Sequence, residues 1–253
     1  MLIAICSLKS SPGVTTLAVA LGARWPSSET PVVVEADPAG GDLLTRFRLN
    51  ADLTVVGLAA SSRVRGNADP DELARHVQFL PGGLRVVPGP IAAEQSRAAL
   101  GLLVPGLRRA GNRAGTVLIV DCGRVDPESA GLPIIRSADA MVLLARPRDD
   151  ELAHVALKLQ LAQQWSRRPC FVLMGRGHSA GYVSRELGVP VLAHIPRDVK
   201  GAAALRGDGA NRNGPSKSAL GRAAAKLAFS LRASVIQDQA KVDRHLVPGG
   251  VAS

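Results

Sequence analysis

The stretch "ICSLKSSPGVTTLAVALGARW", residues 5–25, carries the strongest indication of fold class in this sequence. An apolar run, "LIAIC" at 2–6, leads into a turn rich in Ser, Pro and Gly, and a helical pattern begins near Gly13 with two threonines in its first turn. A strand, a turn and a helix in this order aim backbone N–H groups and the positive end of the helix dipole at one point. The stretch therefore predicts a loop that binds phosphate.

The general phosphate-binding motif, GxxxxGK[ST], matches this loop only in part. Gly13, Thr15 and Thr16 are in register, but Val14 stands where the motif has lysine, and the first glycine is absent. That lysine holds a positive charge on the phosphates during phosphoryl transfer. By the general motif alone, the loop lacks its cation.

Apolar runs alternate with helical patterns along the rest of the chain, which predicts a doubly wound α/β fold with helices on both faces of the sheet. Strands are expected at 2–6, 31–36, 84–89, 116–121, 140–146, 170–175 and 189–195. Helices are expected at 14–24, 70–78, 92–110, 149–166, 179–187 and 217–235. We therefore expect one domain over 1–236 with a mostly parallel sheet of about seven strands, a linker-like stretch at 206–218, and a polar, flexible tail at 237–253.

Composition limits the classes of function. The 253 residues are 46% hydrophobic, enough for one buried core, and no apolar run approaches the length of about 18 residues needed to span a bilayer, so we expect a cytoplasmic protein. The three cysteines are far apart in the sequence, which indicates neither a zinc site nor a disulfide framework. A formal net charge of +10 favours polyanionic partners such as DNA, RNA or an anionic membrane face.

The loop resembles the deviant Walker A motif of the ParA/MinD family, KGGxGK[ST]. The positions of that motif fall, in order, on Lys9, Ser10, Ser11, Pro12, Gly13, Val14 and Thr15. The resemblance assigns to Lys9 the place of the family's extra signature lysine and to Thr15 that of the hydroxyl that ligates magnesium. It also implies that Thr16, the next residue, lines the same nucleotide site. Val14 again replaces the lysine.

Two further blocks resemble the family's acidic motifs. In "VVVEADPAGGDL", 32–43, Asp37 falls on the aspartate that orients the attacking water, and Glu35 replaces a second aspartate. In "VLIVDCG", 117–123, Asp121 falls on the aspartate that holds magnesium through water. The resemblance thus implies a magnesium set of Thr15, Asp37 and Asp121, with Asp37 and Lys9 as catalytic residues.

The closing strands resemble the part of the family that holds adenine. In "VLMGRG", 172–177, Arg176 matches while a glycine replaces the family's asparagine, and in "LGVPVLAHIPRD", 187–198, Pro196 and Asp198 match. The implied cofactors are ATP or ADP and Mg²⁺. Each match also has an ordinary reading, such as a solvated arginine or an exposed loop lysine. The order of the four blocks along the chain carries the resemblance.

The resemblance implies a nucleotide-dependent homodimer that acts as a switch in spatial organisation, either in chromosome or plasmid partition, at a division site, or at a pilus or secretion machine. The last of these is the role of the pilus-assembly CpaE/TadZ-type branch, which the sequence also resembles. With Val14 in the loop, we expect a slow or conditional ATPase. Lys9 would supply charge in trans or in cis, and Arg124 is a second candidate cation. The partner or cargo protein is unidentified, and recruitment to the nucleoid or inner membrane surface is compatible with the charge.

A second class of function stays open: a non-hydrolysing pseudo-ATPase scaffold that keeps the fold for contacts with protein, DNA or membrane. The helix at 217–235 bears on the membrane alternative, because its apolar residues fall on one stripe with basic residues mostly off it. Such a stripe more often covers a core, so peripheral membrane contact is the less favoured interpretation.

Overall fold

The computed structural model describes residues 1–65, 71–205 and 215–246. The strands are β1 (Leu2–Ser7), β2 (Thr30–Glu35), β3 (Gln78–Phe79), β4 (Arg85–Val87), β5 (Thr116–Arg124), β6 (Ala140–Ala145), β7 (Pro169–Met174) and β8 (Val191–Ile195). The helices are α1 (Val14–Arg24), α2 (Leu43–Arg46), α3 (Val55–Arg65), α4 (Glu72–Arg75), α5 (Ala93–Gly111), α6 (Leu132–Ser137), α7 (Asp149–Gln163), α8 (Ala180–Leu187), α9 (Val199–Leu205) and α10 (Ala219–Leu246).

The eight strands of the described residues form one sheet in the order β3-β4-β2-β5-β1-β6-β7-β8. Every pairing is parallel except the antiparallel edge pair β3–β4. β1 lies between β5 and β6, so the loops that follow these three strands meet at one edge of the sheet. The predicted doubly wound, mostly parallel α/β fold is therefore confirmed, with one more strand than expected.

Helices cover both faces of the sheet, and the central strand is buried from both sides. Along β1, Leu2 and Ala4 belong to one hydrophobic cluster, and Ile3 and Ile5 belong to the other. The first cluster takes residues from α3, α5, α6, α7 and α8, and the second takes residues from α1 and α10. This double burial explains why the strands read as continuous apolar runs.

The sequence patterns did not predict several of the helices and strands. The helix expected at 70–78 is the single turn α4 followed by strand β3, and residue 70 lies outside the described residues. Helices α2, α3, α6 and α9 were not predicted. At Gly57 in α3 a Cβ would meet the backbone oxygen of Asp52 and the ring of His76. The glycine inside this helix is therefore explained by close packing, which the sequence pattern does not show.

The C-terminal helix α10 covers the core and runs further than expected. Its apolar stripe, Leu220, Ala224, Leu227, Leu231 and Val235, is buried in the cluster that also contains α1 residues. This finding supports the core-covering interpretation of the stripe over the membrane one. The helix continues to Leu246, so residues 237–246 are helical where a tail was expected, while 247–253 and the 206–214 part of the expected linker lie outside the described residues. None of the described helices is both long and apolar enough to span a membrane.

Candidate functional site

The loop between β1 and α1 presents free backbone donors at the start of α1. Gly13 caps the helix with a left-handed φ of 106°, and the first helical hydrogen bond runs from the Leu17 N–H to the Gly13 carbonyl at 2.9 Å. The N–H groups of Val14, Thr15 and Thr16 therefore have no partner inside the helix. These donors and the helix dipole favour an anion, as the sequence predicted.

Val14 lines the smaller cavity but packs its side chain into the core. Its side chain is only 5% exposed and lies in the same cluster as Ile5 and Leu17. The position at which the motif has lysine thus contributes its backbone to the site and buries its side chain. Ser10, which stands where the family has a glycine, has a φ of 59°, a left-handed conformation that glycine adopts at less cost.

Asp121 is the most unusual group of the site. Its side chain is fully buried; Oδ1 accepts the Gly123 N–H at 3.0 Å, and Oδ2 has no hydrogen-bond partner. Burial raises its pKa to about 7, the nearby Thr15 hydroxyl opposes this, and the charges of Glu35 and Asp37 raise it further. A buried acceptor without a partner requires an explanation, and a cation or its bound water at this point would provide one.

Asp37 lies near the start of the loop that follows β2 and lines the same cavity as Thr15. Its Oδ1 accepts the Ala39 N–H at 2.8 Å. Burial raises the pKa of this carboxyl group, whereas the Ala39 hydrogen bond and the charge of Arg124 lower it. Asp37, Thr15 and Arg124 line a cavity of about 330 Å³, so the fold brings the predicted acidic and hydroxyl residues together.

Glu35 organises the loop that carries Asp37. It is 1% exposed; Oε1 accepts the N–H groups of Asp42 and Leu43 at 2.8 and 3.1 Å, and Oε2 accepts that of Gly89 at 2.9 Å. Burial raises its pKa, and these backbone bonds oppose the shift. The sequence did not reveal this role, because Gly89 is distant in the chain and no local signal links it to Glu35.

The residues expected to hold a base line a second cavity of about 790 Å³. Arg176, Pro196 and Asp198 line it together with Pro12, and Gly13 and Thr16 line both cavities. The two cavities therefore meet at the start of α1 and form one cleft.

Asp198 mainly stabilises the backbone around the larger cavity, because both of its carboxylate oxygens accept hydrogen bonds from the protein. Its Oδ2 accepts the Leu220 N–H at 3.0 Å and its Oδ1 accepts the Gly201 N–H at 2.8 Å. These two bonds, the one from Leu220 foremost, lower the pKa of the carboxyl group. Asp198 thus ties the starts of α9 and α10 to the floor of the cavity.

Sequence reasoning missed three arginines of the larger cavity, Arg146, Arg148 and Arg197. Arg146 follows β6, and its Nη2 donates to the Ser11 carbonyl at 2.7 Å. The run "ARPRD" directly after a buried strand was the available signal. This run could not be assigned to the site from the sequence, because the proximity of β6 to β1 is known only from the order of strands in the sheet.

Lys9 does not join the other predicted residues within one chain. It is partly exposed and lines neither cavity, and no hydrogen bond or ion pair joins it to the described residues. The site that one chain builds therefore contains Ser10, Ser11, Gly13, Thr15, Thr16, Asp37 and Asp121 without the signature lysine.

The carboxylates do not form a complete metal cage. Among the described residues, no group of three or more His, Cys, Asp or Glu side chains is arranged to hold a metal ion. Mg²⁺ commonly takes one or two protein ligands and fills its octahedron with water and phosphate oxygens. The unpartnered Oδ2 of Asp121, with the Thr15 hydroxyl near it, fits an ion held mainly by a nucleotide.

Comparisons with known proteins agree with this geometry at the level of the fold. The sequence matches no protein-family model and no curated protein. Among solved structures, it is similar to a ParA family ATPase from Chlorobium tepidum, with a TM-score of 0.71 and 16% identity over 90% of this chain and 98% of that chain. The cell division ATPase MinD of Pyrococcus furiosus gives a TM-score of 0.65 and 21% identity over 91% and 98%. MinD of Pyrococcus horikoshii, solved with Mg-ADP, gives 0.67 and 18% over 91% and 95%. This chain has the fold of the ParA and MinD ATPases.

Proposed function

We propose that this chain binds ATP or ADP with Mg²⁺ in the cleft formed by the two cavities. The observation that carries the proposal is the buried, unpartnered Oδ2 of Asp121, next to Thr15 at the start of α1. If no ligand bound here, we would expect this oxygen to have a hydrogen-bond partner, or an apolar side chain to stand in place of the carboxylate. The MinD of similar fold that was solved with Mg-ADP supports the same choice of ligand.

The residues divide between the two ends of the cleft. The loop from Ser10 to Thr16, with its free N–H groups, would bind phosphate oxygens, and Arg176 and Pro196 would bound the base. Thr15, Asp37 and Asp121 would face the magnesium side. When bound, the ion neutralises negative charge on the phosphates.

We further propose a slow or conditional ATPase that acts as a dimerising switch. Asp37 lines the phosphate end of the cleft, where it would orient a water molecule, and this supports hydrolysis. Val14 argues for a low rate, because loss of a well-placed donor to a transition state commonly costs about 10²- to 10³-fold. Lys9, which no described residue binds, is available to a second copy of the chain, in line with a nucleotide-dependent homodimer.

The cellular role that fits such a switch is spatial organisation, as in partition of DNA, placement of a division site, or placement of a pilus or secretion machine through a partner or cargo protein. The net charge of +10 supports contact with nucleoid DNA or an anionic membrane face from the cytoplasm. The buried stripe of α10 makes the membrane the less favoured of the two surfaces.

A non-hydrolysing scaffold is the second candidate. It is favoured by the burial of Val14 and by the absence of a signature lysine from the cleft of a single chain. This candidate retains the fold and uses its surface for protein, DNA or membrane contacts.

Calorimetric titration of the full chain with ATP and Mg²⁺, repeated with ADP, tests the proposal. We expect saturable binding that is lost in Asp121→Asn and kept in a control, Arg109→Ala, whose exposed side chain lies in the last turn of α5 and lines neither cavity. Binding accompanied by phosphate release supports the switch. Binding without phosphate release supports the scaffold, and no binding by the unaltered chain overturns the proposal.

A further inference from the structure

Arg146 is brought to the phosphate-binding loop by the order of the sheet. β1 and β6 are parallel neighbours, with Cys6 level with Leu143. Continuing this register, Arg146 follows β6 at the height at which the loop begins after Ser7. The end of β6 thus delivers a cationic side chain to the side of the loop.

The guanidinium contacts the loop directly. Nη2 donates to the Ser11 carbonyl at 2.7 Å, while the backbone N–H of Arg146 donates to Oε1 of Glu151 at 2.9 Å. Arg146 also lines the larger cavity next to Gly13 and Thr16, the residues at which the two cavities meet. A phosphate group on the first turn of α1 would therefore lie beside this side chain.

The Arg146 guanidinium forms no direct ion pair within the described part of the chain. The nearby carboxylate of Glu151 accepts the backbone N–H of Arg146 at 2.9 Å and interacts with the Arg146 charge without an ion-pair contact. Two other arginines of the cleft differ in this respect: Arg46 pairs with Asp42 at 2.9 Å, and Arg148 pairs with Asp150 at 3.6 Å. A guanidinium carries five donors, so the bond to Ser11 leaves several free.

The other candidate cations differ from Arg146 in having no recorded side-chain hydrogen bond to the loop. Lys9 lines neither cavity. Arg124 lines the smaller cavity, and Arg176 and Arg197 line the larger one. Among the described residues, Arg146 is the cation whose side chain donates a hydrogen bond to the loop.

We propose that Arg146 supplies, within one chain, the positive charge on the nucleotide phosphates that Val14 cannot supply. The assignment rests on the proposed nucleotide site and adds to it the residue that compensates for the missing lysine. Arginine suits this task because its planar fork binds phosphate through two parallel hydrogen bonds and stays charged at any working pH.

The test separates the charge of Arg146 from its contact with Ser11. Arg146→Gln keeps a donor for the Ser11 carbonyl and removes the charge, whereas Arg146→Lys keeps the charge. We expect ATP affinity, measured by calorimetry, to fall about 10- to 100-fold in Arg146→Gln and to be largely retained in Arg146→Lys. Arg109→Ala serves as the control for the loss of a surface arginine.

A second part of the experiment tests whether a cation at position 14 can replace the one at position 146. In the Arg146→Gln background, Val14→Lys should restore ATP affinity, because it returns a cation to the phosphates from the other side of the loop. Each variant is checked by circular dichroism and thermal unfolding, since a lysine replaces a buried valine.

The outcomes separate the Arg146 assignment from the nucleotide site on which it rests. If the unaltered chain binds ATP and Arg146→Gln binds as tightly as Arg109→Ala, the Arg146 assignment is overturned while the nucleotide site stands. If Gln and Lys weaken binding equally in folded protein, Arg146 only braces the loop and the assignment again fails. If the unaltered chain binds no nucleotide, both proposals fail.

Discussion

The carboxylate of Asp37 lies directly against the Cα of Gly123, so closely that a Cβ on this glycine would overlap the Asp37 carboxyl group. Gly123 has a left-handed φ of 59° at the end of β5 and donates its N–H to Asp121. One residue without a side chain thus sets the positions of both acidic groups of the candidate site. The loops after β2 and β5 meet at this point.

Gly123→Ala should therefore displace Asp37 as well as strain the backbone. A left-handed φ alone costs a non-glycine residue about 1–2 kcal/mol. Gly115→Ala is the matched control, because Gly115 has a φ of 72° and open space around it. Urea unfolding should show a larger loss of stability for Gly123→Ala than for Gly115→Ala, and equal losses would contradict the steric role of Gly123.

Asp37→Ala should stop phosphate release while leaving nucleotide binding intact. The Asp37 carboxylate accepts one hydrogen bond within its own loop, from the Ala39 N–H, and Glu35 holds that loop independently. The fold should therefore survive the change. Calorimetry with ATP and a phosphate-release assay on the same sample provide the comparison, and turnover at the normal rate would remove Asp37 from the chemistry.

Asp121→Asn should change how stability depends on pH in the nucleotide-free protein. The folded-state pKa of Asp121, about 7, lies above the ordinary aspartate value of 3.8, so the folded state binds the proton more tightly than the unfolded state. Its contribution to stability is then present at low pH and is lost as pH rises from about 4 to about 7. Asparagine keeps an acceptor for Gly123 and carries no charge.

The variant should therefore gain stability relative to the unaltered chain as pH rises through this window, by as much as about 4 kcal/mol at pH 8. Denaturant unfolding at pH 5.5 and pH 8 measures the difference. A gap that stays constant between the two pH values would show that the Asp121 carboxyl group does not titrate as described.

Val14→Lys should increase nucleotide affinity and reduce stability. The gain follows from the charge of the added ammonium, and the cost follows from replacing a side chain that is 5% exposed and packed in the core. Val14→Met provides a control with a long side chain and no charge. Calorimetry and thermal unfolding should show higher affinity only for lysine, and an equal affinity in both variants would indicate that charge at this position is irrelevant.

Lys9→Ala should abolish nucleotide-dependent dimerisation and leave binding by the monomer little changed. Lys9 lines neither cavity of its own chain, so its expected role lies across a dimer interface. Light scattering with and without ATP and Mg²⁺, at matched protein concentrations, tests this expectation. A dimer that forms normally in the variant would argue against a role in trans.

The strands that lie within the sheet were predictable because burial on both faces demands continuous apolar runs, as in "TVLIVD" and "AMVLLAR". The edge strand β3 and the single-turn helices were not, since so few residues carry no period and form only against their neighbours. The long helix α10 shows the opposite error. The polar sequence of its last part predicted a tail. In the structure, Asp238 forms an ion pair with Arg168 and the helix continues to Leu246.

The candidate site was predictable in part. The strand, turn and helix of the loop and the valine at the lysine position of the motif could be found from the sequence, because strand ends and helix starts are local patterns; Asp37 and Asp121 were predicted from the resemblance to the family's acidic motifs. The packing of the chain shows in addition that Val14 is a core residue, that Glu35 holds the loop of Asp37, and that Arg146 reaches Ser11. These relationships depend on which strands are neighbours, and the order of strands in a sheet is set by long-range packing that no short stretch of sequence encodes.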